Sequence, residues 1–140
     1  MLAGVKSVAL FDKSPIVLSD LSSQFFFETS NIGQISDAVS AEKLAALNSY
    51  VPIKAIPELK PEYIKNYQVV VLANASREME LKVNEWTRQY GACFLCGSTR
   101  GLFAYAFNDF GTQFPVIDTT GEECIAGIVA SITSVSVHLT

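Results

Sequence analysis

Histidine is almost missing from this chain of 140 residues; His138 is the sole example. Zinc triads and serine–histidine–acid catalysis both need imidazole, so this shortage all but removes them. Cysteine is scarce as well. Cys93, Cys96 and Cys124 are an odd number, read as free thiols of a reducing compartment, the cytosol or nucleus. Cys93 and Cys96 have C-x-x-C spacing, but they lie in the apolar run "ACFLCG". No second Cys or His pair completes a ligand set, so redox and metal readings are weak and no metal site is expected. Cations are few: 10 Lys and Arg against 14 Asp and Glu, a net charge of −4. They are scattered, which argues against nucleic acid or an anionic membrane as partner. No charged stretch precedes an apolar run at the start, so no secretory leader is expected. The tail "CIAGIVASITSVSVHL" is apolar but broken by Ser, Thr and His, and reads as strand rather than membrane span.

What is present is a globular composition, 49% apolar and 17% charged, of a length suited to one domain with a real core. "SVALF" reads as a buried strand ending at Asp12. A helix is expected from about Ser36 to Asn48, with Ala38, Ala41, Leu44 and Ala45 on its inner face. "VPIKAIP" looks like a second strand and "KPEYIKNY" like a short helix or turn. "QVVVLAN" has a wholly apolar middle and reads as a central, parallel strand. Ser76 can cap the next helix, with Glu78 and Glu80 in the first turn, where the helix dipole favours acids. Met79, Val83, Trp86 and Tyr90 would form its buried face, and Gly91 would end it. "ACFLCG", "LFAYAFNDFG" and "FPVID" read as further strands. This alternation predicts an α/β fold with a largely parallel, Rossmann-like sheet and flanking helices.

Asp12, at the tip of the first strand, stands where nucleotide-binding folds place an acid for a ribose hydroxyl. Yet no glycine-rich turn precedes it. "MLAGVKSVALFD" reads like the end of a first helix running into a second strand. The expectation is a sheet that lacks its first strand, the glycine-rich turn and the first helix, as in a piece of a longer chain.

Taken together, "GVKSVALFD", "DLSSQFFF", "NIGQ", "LAALNSYVP", "QVVVLAN", "TRGLFAYAFNDFG" and "DTTGEE" resemble the N-terminal, inactive adenylation half of eukaryotic ubiquitin-activating enzymes. These are relatives of the bacterial ThiF- and MoeB-like sulfur-carrier adenylating enzymes. The resemblance covers residues 4 to about 128. It implies a partial adenylation domain over residues 1–125, with residues 126–140 starting the first catalytic-cysteine half-domain or forming a terminal strand. "DLSSQF" with "TRGLF" points to the ubiquitin branch.

In active members of this superfamily the same stretch supplies a ribose acid, then Asn, Arg and Gln toward the phosphates, and a Lys soon after. By that resemblance Asp12 matches the ribose acid and Gln24 the Gln, as a vestigial nucleotide site. Asp20 stands at the Asn position, Ser23 at the Arg position and Ser36 at the Lys position. The magnesium-holding Asp would fall near "NASRE", which has no aspartate. Adenylation needs cations against a triphosphate of roughly four negative charges. Losing one well-placed donor costs about 3 kcal/mol of transition-state stabilisation. The resemblance therefore implies a scaffold with no catalytic residue, binding no cofactor of its own. Mg·ATP would belong to the full-length enzyme, which would form an adenylate and then a thioester on a cysteine outside this chain.

Phe25, Phe26 and Phe27 cannot all face one core from an extended segment, because neighbours alternate sides. At least one is expected outward, toward an interface. Arg100 is either a turn residue paired with Asp109 or Asp118, or part of a docking border; both readings stay open. The implied partners are the active half of the same polypeptide, ubiquitin, and a conjugating enzyme reached through other domains, in cytoplasm and nucleus. No nucleic acid or membrane is expected. Two rivals remain: an active nucleotide-binding adenylating enzyme or reductase resting on Asp12, and a free-standing adaptor that dimerises through an unfilled sheet edge.

Overall fold

In the computed structural model, residues 4–118, 120, 121, 129–132 and 137–139 are described, the last two segments by their backbone. Contacts divide the chain into two units, Met1–Asp109 and Phe110–Thr140, and each is taken by itself.

In the first unit, strands arise where β-branched and apolar residues run together. Strand β1 (Val8–Leu10) pairs in parallel with β2 (Ile53–Ala55), and helix α1 (Ser36–Leu47) is the crossover between them. A short helix α2 (Pro61–Ile64) begins on a proline, whose fixed φ suits the first turn. Strand β3 (Val69–Ala73) pairs in parallel with β4 (Cys93–Arg100), joined by helix α3 (Arg77–Tyr90). Strand β5 (Phe103–Asp109) returns antiparallel to β4. Gly101 has φ of +63° at the first position of the two-residue turn between them, which a side chain would disfavour.

Helix α3 has its ends fixed as its sequence suggests. The Ser76 hydroxyl accepts from the Met79 N–H at 3.3 Å, and Gly91 closes the helix at φ of +67°. Its inner face differs from the expected one. Met79 and Tyr90 are exposed; Glu80, Val83 and Thr87 are buried, with Trp86 partly covered. The apolar spacing misleads here because Thr87 satisfies its hydroxyl on the Asn84 carbonyl at 2.8 Å and Glu80 finds a partner in β5. Beneath α3, Ile64, Val83, Ala92, Phe94 and Cys96 form the larger core.

Helix α1 also turns differently. Ala38 and Ala45 are exposed, Ala41 and Leu44 are half-buried, and Asp37 and Val39 are the buried residues. Val39 joins Ile16 and Phe27 in a second, smaller core built mainly from loop residues.

The strands form two separate sheets, β1–β2 and β3–β4–β5. Strand β3 is thus at an edge, not at a centre, among the described residues. Its residues alternate, so Val70 and Leu72 pack toward α3 while Val69 and Val71 are 51% and 72% exposed.

In the second unit, residues 114–118 are not a strand, contrary to expectation. Pro115 removes a ladder donor, and Phe114, Val116 and Ile117 are exposed. The Phe110 and Phe114 rings lie 4.7 Å apart. Strands β6 (Val129–Ile132) and β7 (Val137–Leu139) form an antiparallel pair within the tail. Cys124 and the expected boundary at residue 125 lie outside the described residues.

Candidate functional site

Strand β1 delivers Asp12 to the start of a loop that stays close to the N-terminus of α1. The Asp12 carboxylate is turned back on this loop. Its Oδ1 accepts the Ser14 N–H at 3.1 Å and also the Ser14 hydroxyl, the local pattern of an Asx turn. Partial burial works to raise its pKa, but the hydrogen bonds from Ser14 and the Ser36 hydroxyl prevail and hold it below the usual 3.8.

Asp37, in the first turn of α1, lies beneath. It is 2% exposed. Its Oδ2 accepts the Asp12 N–H at 3.1 Å and Lys13 Nζ at 2.7 Å. The Asp37 N–H donates in turn to the Asp12 carbonyl at 3.1 Å, and the Ser36 N–H to the Ser14 carbonyl at 3.0 Å. The cation next to Asp12 is therefore committed to a buried acid. Asp37 is the residue that sequence reasoning missed. Its position one step after Ser36, with a lysine beside Asp12, was the available signal.

Beyond the loop, Asp20 caps a short 3-10 helix, Leu18–Ser22, by accepting the Val17 N–H at 2.9 Å. Ser23 is exposed and Gln24 half-buried, its backbone N–H on the Asp20 carbonyl at 2.8 Å. The phenylalanines divide. Phe25 is 93% exposed, Phe26 stands edge-on to it at 5.5 Å, and Phe27 is buried beside Ile16 and Val39.

Asn74, in "NASRE", has φ of +51°, which Asn tolerates better than most residues. Its Oδ1 accepts the Thr99 N–H at 2.8 Å and clamps β3 to β4. Arg100 lies exposed where β4 ends. The hairpin register sets Arg100 opposite Phe103 and Asp109 opposite Phe94, at opposite ends. Asp109 is thus beyond the reach of Arg100, and it accepts Arg88 Nε at 2.6 Å instead. The Asp118 carboxylate accepts the Gly121 N–H at 3.0 Å.

Among the described residues, no group of three or more His, Cys, Asp or Glu could hold a metal. No helix among them is long and apolar enough to cross a membrane. The residues that the resemblance sets toward the phosphates do not fit a magnesium triphosphate: Asp20 is an acid, Ser23 and Ser36 are hydroxyls, and Lys13, next to Asp12, is taken by Asp37.

A sequence profile of the ThiF family matches residues 1–133. The chain is 45% identical over 131 residues to the "Ubiquitin-activating enzyme E1 1" of Candida albicans (strain WO-1), covering 94% of this chain and 13% of that protein. It is 43% identical over 132 residues to the protein of the same name from Schizosaccharomyces pombe, again 94% of this chain and 13% of that protein. The Mus musculus "Ubiquitin-like modifier-activating enzyme 1" is 39% identical over 134 residues, 95% of this chain and 13% of its own length. The chain thus spans about an eighth of the curated relatives it matches. The crystal structure of E. coli MccB with MccA-N7isoASN shares the fold at a TM-score of 0.58 and 16% identity, over 69% of this chain and 30% of that one. By profile, by identity across nearly its whole length and by fold, this α/β chain belongs to the ThiF family.

Proposed function

We propose that this chain is a non-catalytic adenylation half of a ubiquitin-activating enzyme. It acts as a scaffold for an active half in the same polypeptide. That active half would use Mg·ATP to activate ubiquitin, in cytoplasm and nucleus, with a conjugating enzyme engaged by other domains. The observation that carries this reading is the Lys13–Asp37 pair at 2.7 Å. It withdraws the cation beside Asp12 from any phosphate, in a loop whose other candidate positions are Asp20, Ser23 and Ser36. No step of adenylation is assigned to this chain.

A scaffold needs contact surface, and two patches provide apolar area. Leu18, the first residue of the 3-10 helix, and Phe25, just beyond its end, are 70% and 93% exposed. Val69 and Val71 stand on the open face of β3. Exposed apolar residues grouped in this way mark interfaces.

Calorimetry of the chain with Mg·ATP tests this reading, with Asp12→Ala as control. No heat at millimolar ATP is expected. Saturable binding that disappears in the control would show that Asp12 still holds a ribose, and would overturn the reading.

A second reading is favoured by the unpaired edge of β3 among the described residues: a second copy of the chain adds its own edge there. A mass that doubles with concentration in sedimentation, and that a proline at Val71 returns to one chain, is the expected result of that alternative.

A further inference from the structure

Helix α3 and the β4–β5 hairpin leave a cavity of about 310 Å³ between them. The helix contributes Arg77, Glu80 and Asn84, β4 contributes Cys96, and β5 contributes Tyr105 and Phe107. Glu80 is 2% exposed, yet only one of its oxygens is served. Oε1 accepts the Tyr105 hydroxyl. Oε2 makes no hydrogen bond. Arg77 Nη1 stands 3.5 Å from it, on a side chain that is 72% exposed.

A carboxylate removed from water loses several kcal/mol of hydration, and an exposed i,i+3 pair returns only about 0.2–0.5 kcal/mol. The other groups around it do not supply positive charge. The Tyr105 phenol is pushed above its usual value, first by its hydrogen bond to Glu80 and then by desolvation and the Glu80 charge, so it stays a donor. The Cys96 thiol is also raised, by burial first and then by the Glu80 charge, so it stays neutral. The cavity therefore holds one under-compensated anion, walled by two half-exposed aromatic rings.

A guanidinium meets these demands better than an ammonium or a metal ion. It presents paired N–H groups to a carboxylate, is weakly hydrated and stacks on aromatic faces. A divalent metal would want more oxygen ligands than Glu80 provides. We propose that this cavity binds the side chain of an arginine presented by a partner polypeptide. Its guanidinium displaces Arg77 from Glu80 Oε2 and its stem lies along Tyr105 and Phe107. A residue within a chain fits better than free arginine, whose α-ammonium finds no second acid among the lining residues. This inference rests on the Glu80 cavity and is independent of the reading of the Asp12 loop.

Titration of the isotope-labelled chain with N-acetyl-arginine-N-methylamide, followed by NMR, is the test. Saturable shifts at Glu80, Tyr105 and Phe107 are expected at millimolar ligand, at least tenfold weaker for the citrulline and lysine counterparts. Arg77→Ala, at an exposed position that leaves the core intact, should tighten binding severalfold by removing the competitor. Glu80→Gln should abolish it. If that variant fails to fold, the citrulline counterpart and Arg77→Ala still decide the matter. No saturation in the wild-type chain, equal binding of the citrulline or lysine compound, or a tenfold weakening by Arg77→Ala would each overturn the proposal.

Discussion

Asp37 and Glu80 are alike in burial, each 2% exposed on the inner side of a helix with one oxygen free of hydrogen bonds. They differ in how they are completed. Around Asp37 the loop closes: Lys13 approaches to 2.7 Å and the Asp12 amide donates to the same oxygen. Around Glu80 the Tyr105 hydroxyl takes one oxygen, while Arg77, on the same helix, stays 3.5 Å from the other at the edge of a cavity. The contrast teaches that a buried acid becomes structural or receptive according to whether its neighbours can reach it. A loop folded back on its own strand can close on the carboxylate. A rigid helix over a rigid hairpin leaves a gap that an i,i+3 arginine fills only loosely.

The largest expected effect separates the cores under the two acids. Phe94, 1% exposed beneath α3, should cost about 3–5 kcal/mol when changed to alanine. Phe27→Ala, at 9% exposure in the loop-built core, should cost less, because loop residues can collapse into the space. Urea unfolding of both variants measures this, and a larger loss for Phe27→Ala would reverse the ranking.

Next come the two cations. Lys13→Ala leaves the buried Asp37 charge without its close partner and should lose about 1–3 kcal/mol. Arg77→Ala should change stability by no more than about 0.5 kcal/mol. Equal losses from the two substitutions would end the distinction between a closed and an open acid.

The smallest effect sharpens the Asp12 side. Its folded pKa lies below the usual 3.8, so the folded state favours the ionised form. The stability this contributes is fully present above that usual value and is lost as pH falls through the lower folded one. Asp12→Asn should therefore lower stability slightly near neutrality and flatten the acid limb of a stability-versus-pH curve, the two proteins converging at low pH. An unchanged acid limb would mean that the Ser14 and Ser36 hydrogen bonds do not favour the carboxylate.

Much of the fold could be read along the chain because its signals are local. Ser76 and Gly91 mark the ends of α3 through backbone groups within four residues, and the β-branched run at Val69–Val71 marks β3. At Ser23 and Ser36 the sequence shows hydroxyls where the family resemblance sets cations. Errors arose where burial depends on distant partners. Glu80 reads only as a first-turn acid favoured by the helix dipole, while its burial depends on Tyr105, on a strand 25 positions away. Asp37 drew no reading, because its partner Lys13 lies 24 positions away. Asp109 seemed available to Arg100 until the hairpin register set them at opposite ends.

The order of strands and helices in the first unit was thus written in short stretches, since propensities and caps act within a turn or two. Which face of α1 and α3 is buried, where β3 stands in its sheet and whether a buried acid is closed or open depended on contacts between residues some 25 positions apart. Such contacts exist only after strands have paired and helices have packed, because a polar side chain can be buried only where another element brings it a partner.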